Sequence, residues 1–328
     1  MTSTTPSGRD AGDGAAGDRR VQEVLRRLEL DVGRRLDGLL QGDFRGLVSG
    51  LGSEPGETRA YTPGDDVRRM DWNVTARTTE PHVRESIADR ELATTVLVDL
   101  SPSLHFGTAV RTKAELAIAA VAAVGILTDR VGNRLGAIVA DGTALHTVRS
   151  GSGRRHLMAL LHRLSTTEPQ RSPAGDDRDG THGLPEGLRR IAGPGYRGGL
   201  AVVVSDLLGD GWADPLRAAS LRHDSLVIEI VDPRELELPP VGIIELVDAE
   251  TGEVREVDTR SRKLRDRYAE AGRARLTDHA AAVRRAGADH LVLRTDRDWV
   301  IDLARFVDRR RRSRRRPTSI TASRAGAT

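Results

Sequence analysis

From Leu92 onward, β-branched apolar runs alternate with stretches of helical periodicity, and few architectures accommodate that order. The runs predict strands at 94–99, 134–140, 144–148, 200–206, 225–231 and 290–294. Helices are predicted between them at 111–128, 153–164, 184–192, 212–222, 260–286 and 298–310. Such alternation implies βαβ units and a mainly parallel sheet with helices on both faces. Strands buried on both faces read as near-continuous apolar runs rather than as alternation. AVVVSD (201–206) and LVIEIVD (226–232) read that way. The fold class expected is therefore α/β, doubly wound.

The flanks carry different patterns. Residues 1–20 are rich in Gly, Asp, Ser and Thr and are expected as a disordered tail. Val21, Val24, Leu25, Leu28, Val32, Leu36, Leu39 and Leu40 then trace one helical stripe. A charged segment punctuated by Pro and Gly runs to 88, with extended pieces near 57–61 and 81–87. Residues 21–88 thus form one expected region and 89–310 the α/β domain. Within the domain, residues 241–258 form an insertion whose alternation about Thr251-Gly252 predicts a β-hairpin, with Gly252 supplying positive φ. Residues 311–328 are expected as a basic disordered tail.

Composition removes several function classes. There are 0 cysteines, so disulfides, thiolate catalysis and cysteine metal sites are excluded. Of 51 lysines and arginines only Lys113 and Lys263 are lysines, a bias spread along the whole chain. Aromatic residues at 3% are too sparse for base-stacking platforms. No run of about 18 apolar residues and no signal-peptide core occurs, so a cytoplasmic protein without a transmembrane segment is expected. No Gly-rich dinucleotide loop, P-loop or Gly-x-Ser-x-Gly elbow is present.

The chemistry concentrates in TTVLVDLSPS, residues 94–103. A buried strand ends in Asp99, which opens an Asp-x-Ser-x-Ser array with Ser101 and Ser103. Alone, that pattern is also good turn and capping chemistry. Thr181, in the long polar loop before a helix, and Asp206, ending another strand, add two oxygen donors. If strands 94–99 and 200–206 are neighbours, all five meet at the switch point where open α/β sheets bind ligands. Hard oxygen donors suit Mg²⁺ or a similar divalent cation. The array resembles the metal-ion-dependent adhesion site of von Willebrand factor type A domains over about residues 90–235. That resemblance implies direct coordination by Ser101, Ser103 and Thr181, with Asp99 and Asp206 orienting ligands and waters. A partner's acidic side chain would complete the coordination.

A second segment, ETRAYTPGDDVRRMDWNVTARTTEPHVR (57–84), places Asp65, Asp66 and Asp71 among Arg68, Arg69 and further arginines. Two readings stay open. One is an internal ion-pair network with Trp72 as its apolar anchor. The other is a partner-binding face. The Pro-Gly-Asp-Asp-Val-Arg-Arg-x-Asp-Trp string resembles the signature of the bacterial domain-of-unknown-function 58 family, over about residues 45–310. That resemblance implies a non-enzymatic adaptor working beside a MoxR-type AAA+ ATPase. The enzymatic alternative is an Mg²⁺-dependent phosphatase using Asp99 as acceptor.

Overall fold

The computed structural model describes residues 10–40, 58–62, 70–78, 80–84, 93–170, 183–196, 198–248 and 252–314. The chain divides into two units, Ser49–Leu92 and the remainder. The first helix therefore belongs with the α/β unit, not with the charged segment as expected for residues 21–88.

That helix, α1, spans Asp10–Leu40. It starts eleven residues before Val21, inside the stretch expected as a disordered tail. Once a helix is nucleated, each added residue costs little, so the amphipathic core of α1 carries its weaker N-terminal extension. Leu25, Val32, Leu36 and Leu40 are its buried stripe. Glu29 accepts from Arg154, and Asp298 accepts from Arg35 at 2.5 Å.

The small unit pairs β1 (Thr58–Ala60) antiparallel with β2 (His82–Arg84). Between them α2 spans Trp72–Thr78. Asp71 caps it, accepting from the backbone N–H groups of Asn73 and Val74 at 3.0 and 3.2 Å. Thr75 Oγ1 accepts from His82 N–H at 3.0 Å, tying α2 to β2. The expected anchor, Trp72, is instead 69% exposed. Asp71 and Thr75, four apart, define the face toward β2, and Trp72 lies about 100° round the helix from Asp71. Asp65, Asp66, Arg68 and Arg69 lie outside the described residues.

The α/β unit continues with β3 (Ala93–Asp99), α3 (Lys113–Arg130), β4 (Arg134–Ala140), β5 (Leu145–Gly151), α4 (Gly153–Ser165), α5 (Leu184–Ala192) and β6 (Leu200–Ser205). There follow α6 (Ala213–Ser220), β7 (Asp224–Val231), the hairpin β8 (Ile243–Val247) and β9 (Val254–Asp258), α7 (Arg262–Arg285), β10 (Asp289–Arg294) and α8 (Trp299–Arg314). The six-stranded sheet has the order β10-β7-β6-β3-β4-β5, parallel except for β5 against β4. Gly252 takes φ 73° in the hairpin turn, as its position predicts. Helix α8 runs four residues into the expected basic tail. Arginine is a good helix former, and Arg312 pairs with Asp308 one turn back.

Strand alternation builds two cores. Val96, Val98, Val202, Val204, Leu226 and Ile228 face the layer of α1, α3, α4 and α8. Leu97, Ala201, Val203 and Val227 face α5, α6 and α7. Entry to β6 is tight: a Cβ on Gly199 would stand 2.1 Å from the Ala93 carbonyl oxygen, which is backbone and cannot swing aside. Gly199→Ala is expected to destabilise by about 1–3 kcal/mol. Denaturant midpoints would show this against Gly195→Ala, where a Cβ meets nothing within 4 Å.

Candidate metal site

Strands β3 and β6 are parallel neighbours, with Val98 opposite Val204. The chain leaving β3 returns in β4 on one side, and the chain leaving β6 returns in β7 on the other. Their carboxyl ends therefore form the switch-point crevice. Asp99 closes β3 there and Asp206 follows β6.

Local chemistry orders this edge. Leu100 and Leu104 are buried anchors on either side of the Ser-Pro-Ser turn. Pro102 opens a 3₁₀ turn, Pro102–His105. Asp99 Oδ1 accepts from Ser101 N–H at 3.0 Å, and Asp99 Oδ2 accepts from Ser205 Oγ at 2.8 Å. The Ser101 and Ser103 hydroxyls lie 3.1 Å apart. After β6, Leu207 holds φ 57°, the one non-glycine with positive φ among the described residues. Such strain persists only where the surroundings over-determine it, often at functional loops.

Asp206 has a partner that the sequence did not suggest. Lys113, the first residue of α3, is 0% exposed. Its Nζ donates to Asp206 Oδ2 at 2.7 Å and to Glu235 Oε1 at 2.5 Å. Thr112 and Glu115 form a reciprocal capping box that sets where α3 begins, and so where Lys113 points. Glu235 Oε2 in turn accepts from Asp232 N–H at 3.0 Å. Asp232 accepts from Thr108 Oγ1 at 2.6 Å and Thr295 Oγ1 at 2.8 Å. The loops after β3, β6, β7 and β10 are thus joined by one polar network.

The electrostatics are unbalanced. Asp99 is 8% exposed and Asp206 4% exposed. Burial, then the charge of Asp206, push the Asp99 carboxyl up to about 6, against the hydrogen bonds from Ser101 and Ser205. Burial alone would lower Lys113, but the charges of Asp206 and Glu235 outweigh it and raise the ammonium above its usual range. Four carboxyl groups, those of Asp99, Asp206, Asp232 and Glu235, thus stand around one ammonium, Lys113.

The donor set fits a divalent cation. An octahedral ion with metal–oxygen bonds of about 2.05 Å has neighbouring ligands about 2.9 Å apart. The two serine hydroxyls, at 3.1 Å, stand close to that edge length. Among the described residues no group of three or more His, Cys, Asp or Glu could hold a metal, so a site here relies on hydroxyls. Ser101 and Ser103 are the direct donors on offer, and Asp99, with both oxygens accepting hydrogen bonds, orders the turn that carries them. Thr181 lies outside the described residues.

Four of the five expected residues are described, and all four stand on the same sheet edge. Sequence reasoning missed Lys113, Glu235 and Ser205. A signal existed for the first, one of only two lysines in an arginine-saturated chain. Another existed for Ser205, a polar residue ending the run AVVVS.

Solved structures similar to this chain include BatB from Bacteroides thetaiotaomicron, at 15% identity and a TM-score of 0.39, covering 67% of this chain and 99% of that one. The von Willebrand type A domain of SpRpn10 is similar at 13% identity and a TM-score of 0.33, covering 65% and 93%. At that level the strand order, not the superposition, carries the fold. Uncharacterized protein Rv1480 of Mycobacterium tuberculosis is 52% identical over 296 residues, covering 90% of this chain and 91% of that one. Uncharacterized protein MAV169 of Mycobacterium avium is 45% identical over 166 residues, covering 50% and 94%. Residues 57–278 match the family described as protein of unknown function DUF58, and this chain belongs to it.

Proposed function

We propose that the protein is a docking module that binds a partner protein through a divalent cation held by the Ser101 and Ser103 hydroxyls, with Asp99 orienting them. One observation carries this reading: two neutral hydroxyls stand at ligand spacing beside a buried cluster in which carboxyl groups outnumber the one ammonium. A bound Mg²⁺ would supply an electrophilic centre able to take an acidic side chain. The chain's own residues do the rest. Ser205 and the Ser101 N–H orient Asp99, and Leu104 pins the turn that presents both hydroxyls. Phe106, Val110 and Leu208 are exposed on the two loops leaving β3 and β6, an apolar rim suited to a protein surface. The family resemblance makes a MoxR-type AAA+ ATPase the first partner to test. No described helix is long and apolar enough to cross a membrane.

A phosphatase using Asp99 has less support. Both Asp99 oxygens already accept hydrogen bonds, and the side chain is buried.

Mg²⁺ at about 100 times its dissociation constant is expected to stabilise the wild type by about 2.7 kcal/mol, read as a rise in unfolding temperature. Asp99→Ala should abolish the rise. It should also abolish retention of the ATPase on immobilised protein, as should chelation. Retention that survives both treatments would overturn the reading.

A further inference from the structure

The chain uses arginine almost everywhere a basic residue is needed, yet it keeps a lysine at 113. That position is closed. The side chain is fully buried, and its ammonium reaches two carboxylates on two different loops. A compact point charge fits between them where a planar guanidinium, larger and forked, would not. Asp206 is thereby committed on both oxygens: Oδ2 to Lys113, and Oδ1 to the Leu208 N–H at 3.3 Å. Glu235 is committed as well, to Lys113 and to Asp232 N–H. The ammonium is therefore fixed from the β7 side and holds Asp206 from the α3 side.

We propose that Lys113 is a positioning residue of the candidate metal site, which keeps Asp206 out of direct coordination so that the cation is held by hydroxyls and stays open to an acidic ligand. This rests on the cation reading of Asp99, Ser101 and Ser103, and deepens it. Removing the ammonium does two things to a nearby cation. It takes away a repelling charge, and it frees a carboxylate to bind directly. Both tighten the site while filling the position a partner would use.

The full chain carrying Lys113→Met with Glu235→Gln tests this. The pair of substitutions removes one carboxylate together with the one ammonium, so the formal charge of the cluster is the same as in the wild type. A glutamine at 235 still offers an oxygen to the Asp232 N–H. Mn²⁺ serves as the probe, read by its spin-resonance signal, with Mg²⁺ as competitor in calorimetry. The double variant should bind Mn²⁺ at least about tenfold more tightly than the wild type, the scale on which groups supporting a metal's ligands act. Adding Asp206→Asn should bring the affinity back. Equal affinity in wild type and double variant overturns the role of Lys113 and leaves the cation reading standing. Binding by the double variant alone overturns the cation reading for the natural chain while upholding the hold on Asp206. Binding by neither overturns both. Mn²⁺-soaked crystals of the wild type read the same point without any substitution. Asp206 should remain on Lys113, and a direct Asp206–metal bond would overturn the proposal.

Discussion

Replacing Lys113 by alanine is expected to destabilise the α/β unit by about 3–5 kcal/mol, the cost of leaving buried charge without its partner. The side chains of Asp206 and Glu235 are 3% and 14% exposed, so water does little to replace the lost ammonium. Two carboxylates would then face each other across the space it left, with Asp99 beside them. Domains of this kind are stable by about 5–15 kcal/mol in all, so the variant should approach the edge of folding. Urea unfolding followed by circular dichroism measures the loss directly. A loss below about 1 kcal/mol would mean that the carboxylates are solvated, contrary to the burial described. Lys113→Arg should also destabilise, because the enlarged head group has no room in a fully buried position. The charge-matched replacement, Lys113→Met with Glu235→Gln, should be milder, since one carboxylate leaves together with the ammonium.

That contrast shows which parts of the site the sequence could reveal. Asp99, Ser101, Ser103 and Asp206 are legible because they sit at the ends of apolar runs, where a parallel sheet puts its crevice. Their common edge follows once β3 and β6 are neighbours, and the matching apolar lengths of the two runs make both of them central strands. Lys113 and Glu235 carry no comparable mark. They are 122 residues apart in the chain and meet only because α3 starts under the turn that follows β7. Long-range polar pairing of this kind has no periodicity to read. The N-terminal errors have another source. Helix α1 starts at Asp10 although its first turns are rich in glycine, because propagation from a packed amphipathic core overrides local propensity. Helix α2 was missed because Trp72–Thr78 is too short to show a stripe, and its start is set by an aspartate cap in a segment crowded with aspartates.

Glu229 is another buried charge whose loss should be severe, and it makes a prediction about acid. It stands in the middle of β7 with 1% exposure, one acid in the run LVIEIV. His279 Nδ1, from α7, lies 2.7 Å from Oε1, and His290 Nε2, from β10, lies 2.8 Å from Oε2. One carboxylate thus ties helix α7 and the edge strand β10 to β7. Burial pushes its pKa up, but the hydrogen bonds and charges of the two histidines together pull it below the usual 4.5. A carboxyl with a folded pKa below its unfolded value contributes stability that is complete above the unfolded value. The contribution is lost as pH falls through the folded one. Glu229→Ala is expected to cost about 3–5 kcal/mol at pH 7, since it removes two charge-assisted hydrogen bonds and strands two part-buried imidazoles. The gap between wild type and variant should narrow as pH falls below about 4.5, where the carboxyl loses its charge. Parallel urea titrations of the two proteins between pH 7 and pH 3 measure that gap. A gap that fails to narrow below about pH 4.5 would overturn the assignment of Glu229 as a carboxyl that folding keeps ionised.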